Sequence, residues 1–254
     1  MKVVRRGDEG IPLAQCRAPD CDATKLCKAH IIPQGFARPL SEADGHNKAV
    51  RAGGAKPANQ PLGPFDLNIL CSGCDGKLGM FDEYAINFCA SLSASSAAPT
   101  GSLYRRSEFN GATFARAMLA ILWRASISVR EEWVEIALGR YESIIGNILF
   151  GLSDFRDFPE IEIALLRYAS ADHDARKFIF KPLRIRSGNL NVFSMGLGGF
   201  QVLAKIDQRP FHNEMRPYVV NASTSLIVPH VRFEETAEYA FFQSAAQADR
   251  RRKA

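Results

Sequence analysis

Hydrophobic and polar positions change rhythm twice along this chain. In its middle, Phe109, Phe114, Ala117, Met118, Ile121 and Leu122 recur at the spacing of one buried helical face. A second helix is expected from about Val129 to Leu149, with Trp133, Ile136, Ala137, Ile144, Ile145 and Ile148 inward. Beyond Gly151 the pattern shortens into runs rich in Ile, Val, Phe and Leu, at 161–169, 176–186, 190–206, 217–222 and 223–233. Such runs bounded by turn residues predict strands, and Gly196, Gly198 and Gly199 place a turn between two of them. Residues 233–254 close the chain as an amphipathic helix.

The first third reads differently. Leu26, Cys27, Ile31 and Ile32 mark an extended segment that ends at Pro33, which disfavours helix at the residue before it. Residues 37–64 turn to Gly, Pro, Ala, Asn and Lys and predict a long loop, made basic by Lys48, Arg51 and Lys56, with His46 solvated in it. Leu67, Ile69 and Leu70 precede a helix beginning at or just after Cys71. Gly73 and Gly76 predict that this helix is short or broken, because glycine weakens a helix interior. Residues 91–102, small and polar with Pro99 and Gly101, read as a linker. Two domains follow, 1–98 and 99–254, and the fold class is α+β.

Cysteine spacing adds chemistry to the first domain. Cys16 and Cys21 stand in CRAPDC, where Pro19 favours a tight turn, and Cys71 and Cys74 stand in ILCSGC. Four thiolates so arranged predict one Zn²⁺ in a closed tetrahedral site, which is structural because no position is left for water. Cys27 and Cys89 remain as buried small hydrophobes.

Composition changes the picture little. Hydrophobic residues at 46% and charged residues at 23% are ordinary for a globular protein, and the net charge of +5 points only weakly to nucleic acid. Arg250, Arg251, Arg252 and Lys253 supply much of that excess and read as a solvated tail. No run of about 18 apolar residues predicts a membrane span. MKVVRRGDEG lacks the apolar core of a secretory signal, so a cytoplasmic protein with metal-bound rather than disulfide cysteines is expected.

The segment AHIIP at 29–33, flanked by the two cysteine pairs, resembles the His-Asn-His (HNH) endonuclease superfamily in its Cys₄ zinc-knuckle subset. The resemblance implies a zinc-stabilised, treble-clef-like ββα-metal domain, followed here by a helical segment and a mixed strand-rich region. It maps the family's first histidine onto His30, its Asn-Leu step onto Asp66-Leu67, and its third position onto Asp75. Ala29 departs from the acid or histidine that often precedes the first histidine, and Asn68 lies two positions late for the middle asparagine. By this resemblance the protein is a metal-dependent endonuclease hydrolysing phosphodiester bonds in DNA, in a bacterial defence or mobile-element setting.

His30 would be the general base, Asp75 a ligand of catalytic Mg²⁺ or Mn²⁺, and Asp66 an orienter of the His30 ring or a second metal ligand. Asp82 and Glu83, two turns beyond Asp75, either approach the site or form a solvated face. Other readings stand beside these: His30 as a zinc ligand through Cys27-x-x-His30, and Asp75 as a helix cap. The alternative for the whole is a catalytically degenerate zinc module that binds nucleic acid or a protein partner. HIIP at 30–33, the CxxC with its following acid, and LWRAS at 122–126 together resemble a bacterial family to which no activity is attached.

Overall fold

The computed structural model describes residues 15–38, 48–49, 58–59, 63–92 and 98–253; His46, Arg51 and Lys56 lie outside them. In chain order the elements are β1 (Ala29–His30), α1 (Gln34–Ala37), β2 (Lys48–Ala49), β3 (Ala58–Asn59), β4 (Phe65–Asp66) and α2 (Ser72–Ala90). There follow β5 (Leu103–Arg106), α3 (Gly111–Ile127), α4 (Tyr141–Leu149), β6 (Ile161–Ala169) and β7 (Phe180–Ser187). The chain closes with β8 (Leu190–Leu197), β9 (Phe200–Ile206), β10 (Leu226–Arg232) and α5 (Ala237–Lys253). The class is mixed α+β. No helix among the described residues is long and apolar enough to cross a membrane.

Helix α3 is the centre of the core. Every residue from Ala117 to Ile127 is buried, as expected for a helix apolar almost all round. Asn110 starts it, its side-chain oxygen accepting the Thr113 N–H at 3.0 Å. Around α3 pack α2, α4 and β9. One apolar cluster runs from Ile31 and Ile69 through these helices to Phe193, Phe200 and Val202 of the sheet.

That sheet has six strands in the order β5-β10-β6-β9-β8-β7, antiparallel throughout except that β10 lies parallel to β6. Gly198 and Gly199 turn β8 into β9 with φ of +57° and +84°, values suited to a two-residue hairpin. A Cβ at Gly198 would lie 2.5 Å from the Cys89 sulfur, so the hairpin tip presses on α2 and buries Cys89 there.

Four elements differ from the sequence reading. Residues 217–222 form no strand; a short 3₁₀ turn covers Arg216–Tyr218, and only Val219 bridges to Ala164. Asn221 supplies the reason: its side chain accepts the Ile163 N–H and donates to the Ile161 carbonyl, taking backbone groups of β6 that a strand would use. The helix expected at 129–149 is a 3₁₀ turn at Glu131–Trp133 and then α4, separated by Gly139 at φ +57°. Strand β5 pairs with β10 where the chain reads as the end of a linker and the approach to a helix. Helix α2 is unbroken over 19 residues despite its glycines.

The glycine cost in α2, roughly 1 kcal/mol at each interior position, is offset by a buried face of Leu78, Asp82, Ala85, Phe88 and Cys89. Gly76→Ala, whose new Cβ meets nothing within 4 Å, is therefore expected to stabilise the fold by about 0.5–1 kcal/mol in urea denaturation. Gly111→Ala should act oppositely. Its Cβ would fall 1.8 Å from the Val220 carbonyl oxygen, and a loss of at least about 1–3 kcal/mol is expected.

Candidate functional site

The four cysteines of the two pairs converge. The sulfurs of Cys16, Cys21, Cys71 and Cys74 all lie within 4.8 Å of one another, with Cys21 and Cys71 at 3.9 Å. A tetrahedron with Zn–S bonds of about 2.3 Å has S···S edges of about 3.8 Å. The donor set and the spacing therefore fit a metal ion such as zinc.

Local backbone chemistry builds this convergence. Asp20 takes φ +54°, a left-handed conformation that aspartate tolerates, and so closes the turn between Cys16 and Cys21. The Cys16 N–H donates to the Ala23 carbonyl, and the Arg17 N–H donates to the Ile69 carbonyl at 2.8 Å. Leu26 bridges Cys71, and the Cys27 N–H donates to the Leu70 carbonyl. The first pair is thus pinned to the residues that lead into the second. Cys71 caps α2, its sulfur accepting the Cys74 N–H at 3.5 Å. That hydrogen bond pulls the Cys71 thiol down to about 7, while burial pushes the thiols of Cys16 and Cys74 up.

Neither Cys27 nor His30 belongs to the four-sulfur cluster. Burial raises the Cys27 thiol, and the nearby charge of Asp75 adds to this.

His30 lies at the end of β1, paired with Phe65 of β4, and the two rings meet edge-on at 6.2 Å between centroids. Its Nε2 is buried and has no hydrogen-bond partner among the described residues. Burial lowers the His30 pKa, and the positive charges of Lys28 and Arg124 lower it further against an opposing contribution from Asp82. Burial and the two cations thus favour the uncharged ring.

Asp75 sits inside the first turn of α2, beyond the cap that Cys71 provides, so it is not the helix cap. Burial raises its pKa; Arg124 opposes that rise and Asp82 adds to it. His30 and Asp75 therefore sense the same two charges. Those charges form a buried pair, in which Arg124 of α3 donates to both Asp82 oxygens at 2.7 and 2.9 Å. Asp82 is buried in that pair, and so is not part of a solvated face, whereas Glu83 is exposed.

Asp66 goes elsewhere. In the β1–β4 ladder it stands opposite Ala29, so its side chain leaves the face that carries His30 and Phe65. It is buried, and its carboxylate accepts the Ser128 hydroxyl at 2.6 Å, the Val129 N–H and the Asn68 N–H. Neither oxygen bonds the imidazole, so the expected Asp66–His30 hydrogen bond is not formed. Asn68 is exposed. Arg124 and Ser128 were not among the sequence candidates. The signal for Arg124 was a lone cation inside the apolar run AMLAILWRASI, which burial permits only with a partner.

No family model, curated protein or solved structure matches this chain.

Protein produced in zinc-supplemented medium is expected to carry one zinc ion per chain by atomic emission. Cys71→Ser and Cys74→Ser should each lose it and melt earlier, since structural zinc contributes about 10–16 kcal/mol in small zinc domains. Cys27→Ser should keep the metal, because its sulfur is outside the cluster.

Proposed function

We propose that this chain is a metal-dependent endonuclease of the HNH type that hydrolyses phosphodiester bonds in DNA. The observation that carries the reading is the buried Nε2 of His30, without a hydrogen-bond partner among the described residues, on a strand pair next to the helix that Cys71 caps and that bears Asp75. The pairing of β1 with β4, followed by α2, supports a treble-clef-like ββα reading in which the cysteine cluster would hold a structural zinc.

In the proposed hydrolysis His30 takes a proton from the attacking water. The water oxygen bonds to phosphorus as the bond from phosphorus to the leaving oxygen breaks, and the leaving oxygen is then protonated from solvent. A Mg²⁺ or Mn²⁺ ion would stabilise the scissile phosphate and the leaving oxygen when bound. Asp75 is the residue to hold it. Mg²⁺ is commonly held by one or two carboxylates together with substrate phosphate, and Asp75 is a partly buried carboxylate in the first turn of α2. Lys28, beside His30 and 4.1 Å over the Phe65 ring, adds an exposed cation that a phosphate backbone would meet.

A second reading has its own observation. Ala29 is fully buried at the position where the family often carries an acid or histidine, which suits a module that binds nucleic acid and has lost the chemistry.

Supercoiled plasmid separates the two. With Mg²⁺ or Mn²⁺ the protein is expected to nick it, EDTA should stop the reaction, and His30→Ala should slow it by about 10²–10⁴-fold. Plasmid binding without nicking by zinc-loaded protein would favour the binding module instead. The pH profile follows from the direction of the His30 shift. A base must be deprotonated to act, so the rate should rise with pH through a point below 6.5 and be level by neutrality. A limb centred above 6.5 would assign the base to another group.

A further inference from the structure

The proposed site is held by a segment outside the strand–strand–helix unit. The end of α3 and the residues just after it reach both arms of the site. Arg124 grips Asp82 of α2 with two hydrogen bonds, and Asp82 lies seven residues from Asp75, on the same helical face. Four residues beyond Arg124, Ser128 and the Val129 N–H hold Asp66, which stands opposite Ala29 in the ladder that ends at His30. Arg130 then donates to the Phe65 carbonyl at 2.9 Å, and Phe65 is the ladder partner of His30. One short stretch of chain thus ties the strand carrying the histidine to the helix carrying the aspartate.

These ties are buried. Arg124 and Asp66 are each 1% exposed, and Ser128 is 2% exposed. Among the described residues the buried Arg124 Nε has no hydrogen-bond partner, and neither has the His30 Nε2. A two-residue ladder cannot fix a spacing by itself, because isolated strand pairs are marginal even when longer. The brace supplies what the ladder lacks.

We propose that residues 124–130 are a brace that sets the spacing between His30 and Asp75, with Arg124 and Ser128 as positioning residues acting through Asp82 and Asp66. The proposal rests on the nuclease reading for its catalytic consequence, though not for the placement of His30. It also gives the sheet-bearing part of the chain a role in the chemistry, since α3 is the core helix of that part.

The test is the double variant Asp82→Leu with Arg124→Met. Apolar replacement of a buried ion pair often leaves a protein as stable as before; because both charges also act on His30 and Asp75, the charge-neutral Ser128→Ala variant decides whether position alone moves the His30 signals. Ser128→Ala is the second variant, and it is conservative enough to fold if the first does not. Each would be examined for zinc content, melting temperature, plasmid nicking and the ring signals of ¹⁵N-labelled His30. We expect folded, zinc-loaded proteins whose His30 signals move and whose kcat falls, by up to about 10²-fold for a displacement near 1 Å, with KM within about twofold. Unchanged His30 signals in a folded variant would overturn the brace. Unchanged nicking by an active wild type would do the same. If the wild type does not nick at all, the nuclease reading fails, and the His30 signals alone decide the brace.

Discussion

Four sulfurs within 4.8 Å of one another cannot all be thiolates unless a cation lies among them. The local arrangement makes the same demand: one thiol is drawn down to about 7 by an N–H donor while its neighbours are pushed up by burial. A metal ion would resolve that conflict and would join residues 16 and 74 across the strand pair between them. The short elements around the cluster have little pairing of their own to fix them. Strands β1 and β4 pair through two residues each, far short of what a hairpin needs to persist alone. Helix α2 begins on a cluster cysteine as its cap. A metal ion held there would therefore help to set the position of His30, which stands in the short strand pair between the two cysteine pairs.

A second constraint comes from α3. Burying a guanidinium is costly, and a buried pair such as Arg124–Asp82 is a weak source of stability when set against an apolar replacement. A core helix with leucine and isoleucine at its other turns has no packing need for arginine there. What the pair supplies is direction: two parallel hydrogen bonds fix α2 against α3 in one orientation, where apolar contact would permit several. Asp66 does the same for the strand pair through Ser128 and Val129. The polar groups buried between the metal unit and the core helix are those that set geometry.

Much of this was legible in the sequence, for reasons that differ by residue. The strands at 161–169 and 190–206 announce themselves because a sheet covered on both faces needs nearly continuous apolar runs. The cysteine cluster was legible because thiols in paired spacing have few other uses. Strand β5 was not: LYRR is short, and its pairing is decided by β10 more than 120 residues later in the chain. Asn221 replaces a strand by side-chain mimicry that no apolar pattern records. Asp66 was read from its place in the HNH pattern as an orienter of His30 or a second metal ligand, but the period of two in a ladder turns it to the opposite face from His30. Arg124 was visible as an anomaly in a hydrophobic run, and only the fold says which carboxylate answers it.

The electrostatics of the pair bear on the chemistry in a definite direction. Hydrolysis of the kind proposed needs an imidazole without its proton and a carboxylate without its own. Burial alone helps the first and opposes the second, since it disfavours charge on either group. A cation near both corrects this asymmetry: Arg124 lowers the proton affinity of His30 and also that of Asp75. An anion in its place would spoil both, and Asp82 does act against each group. Asp82 is needed because Arg124 could not be buried at 1% exposure without a counter-charge. The arrangement places that counter-charge in a bidentate grip at the far side of the guanidinium's fork, leaving Nε uncommitted. Geometry and charge therefore make one demand of residue 124, and lysine, a point charge without the fork, would meet only the second half of it.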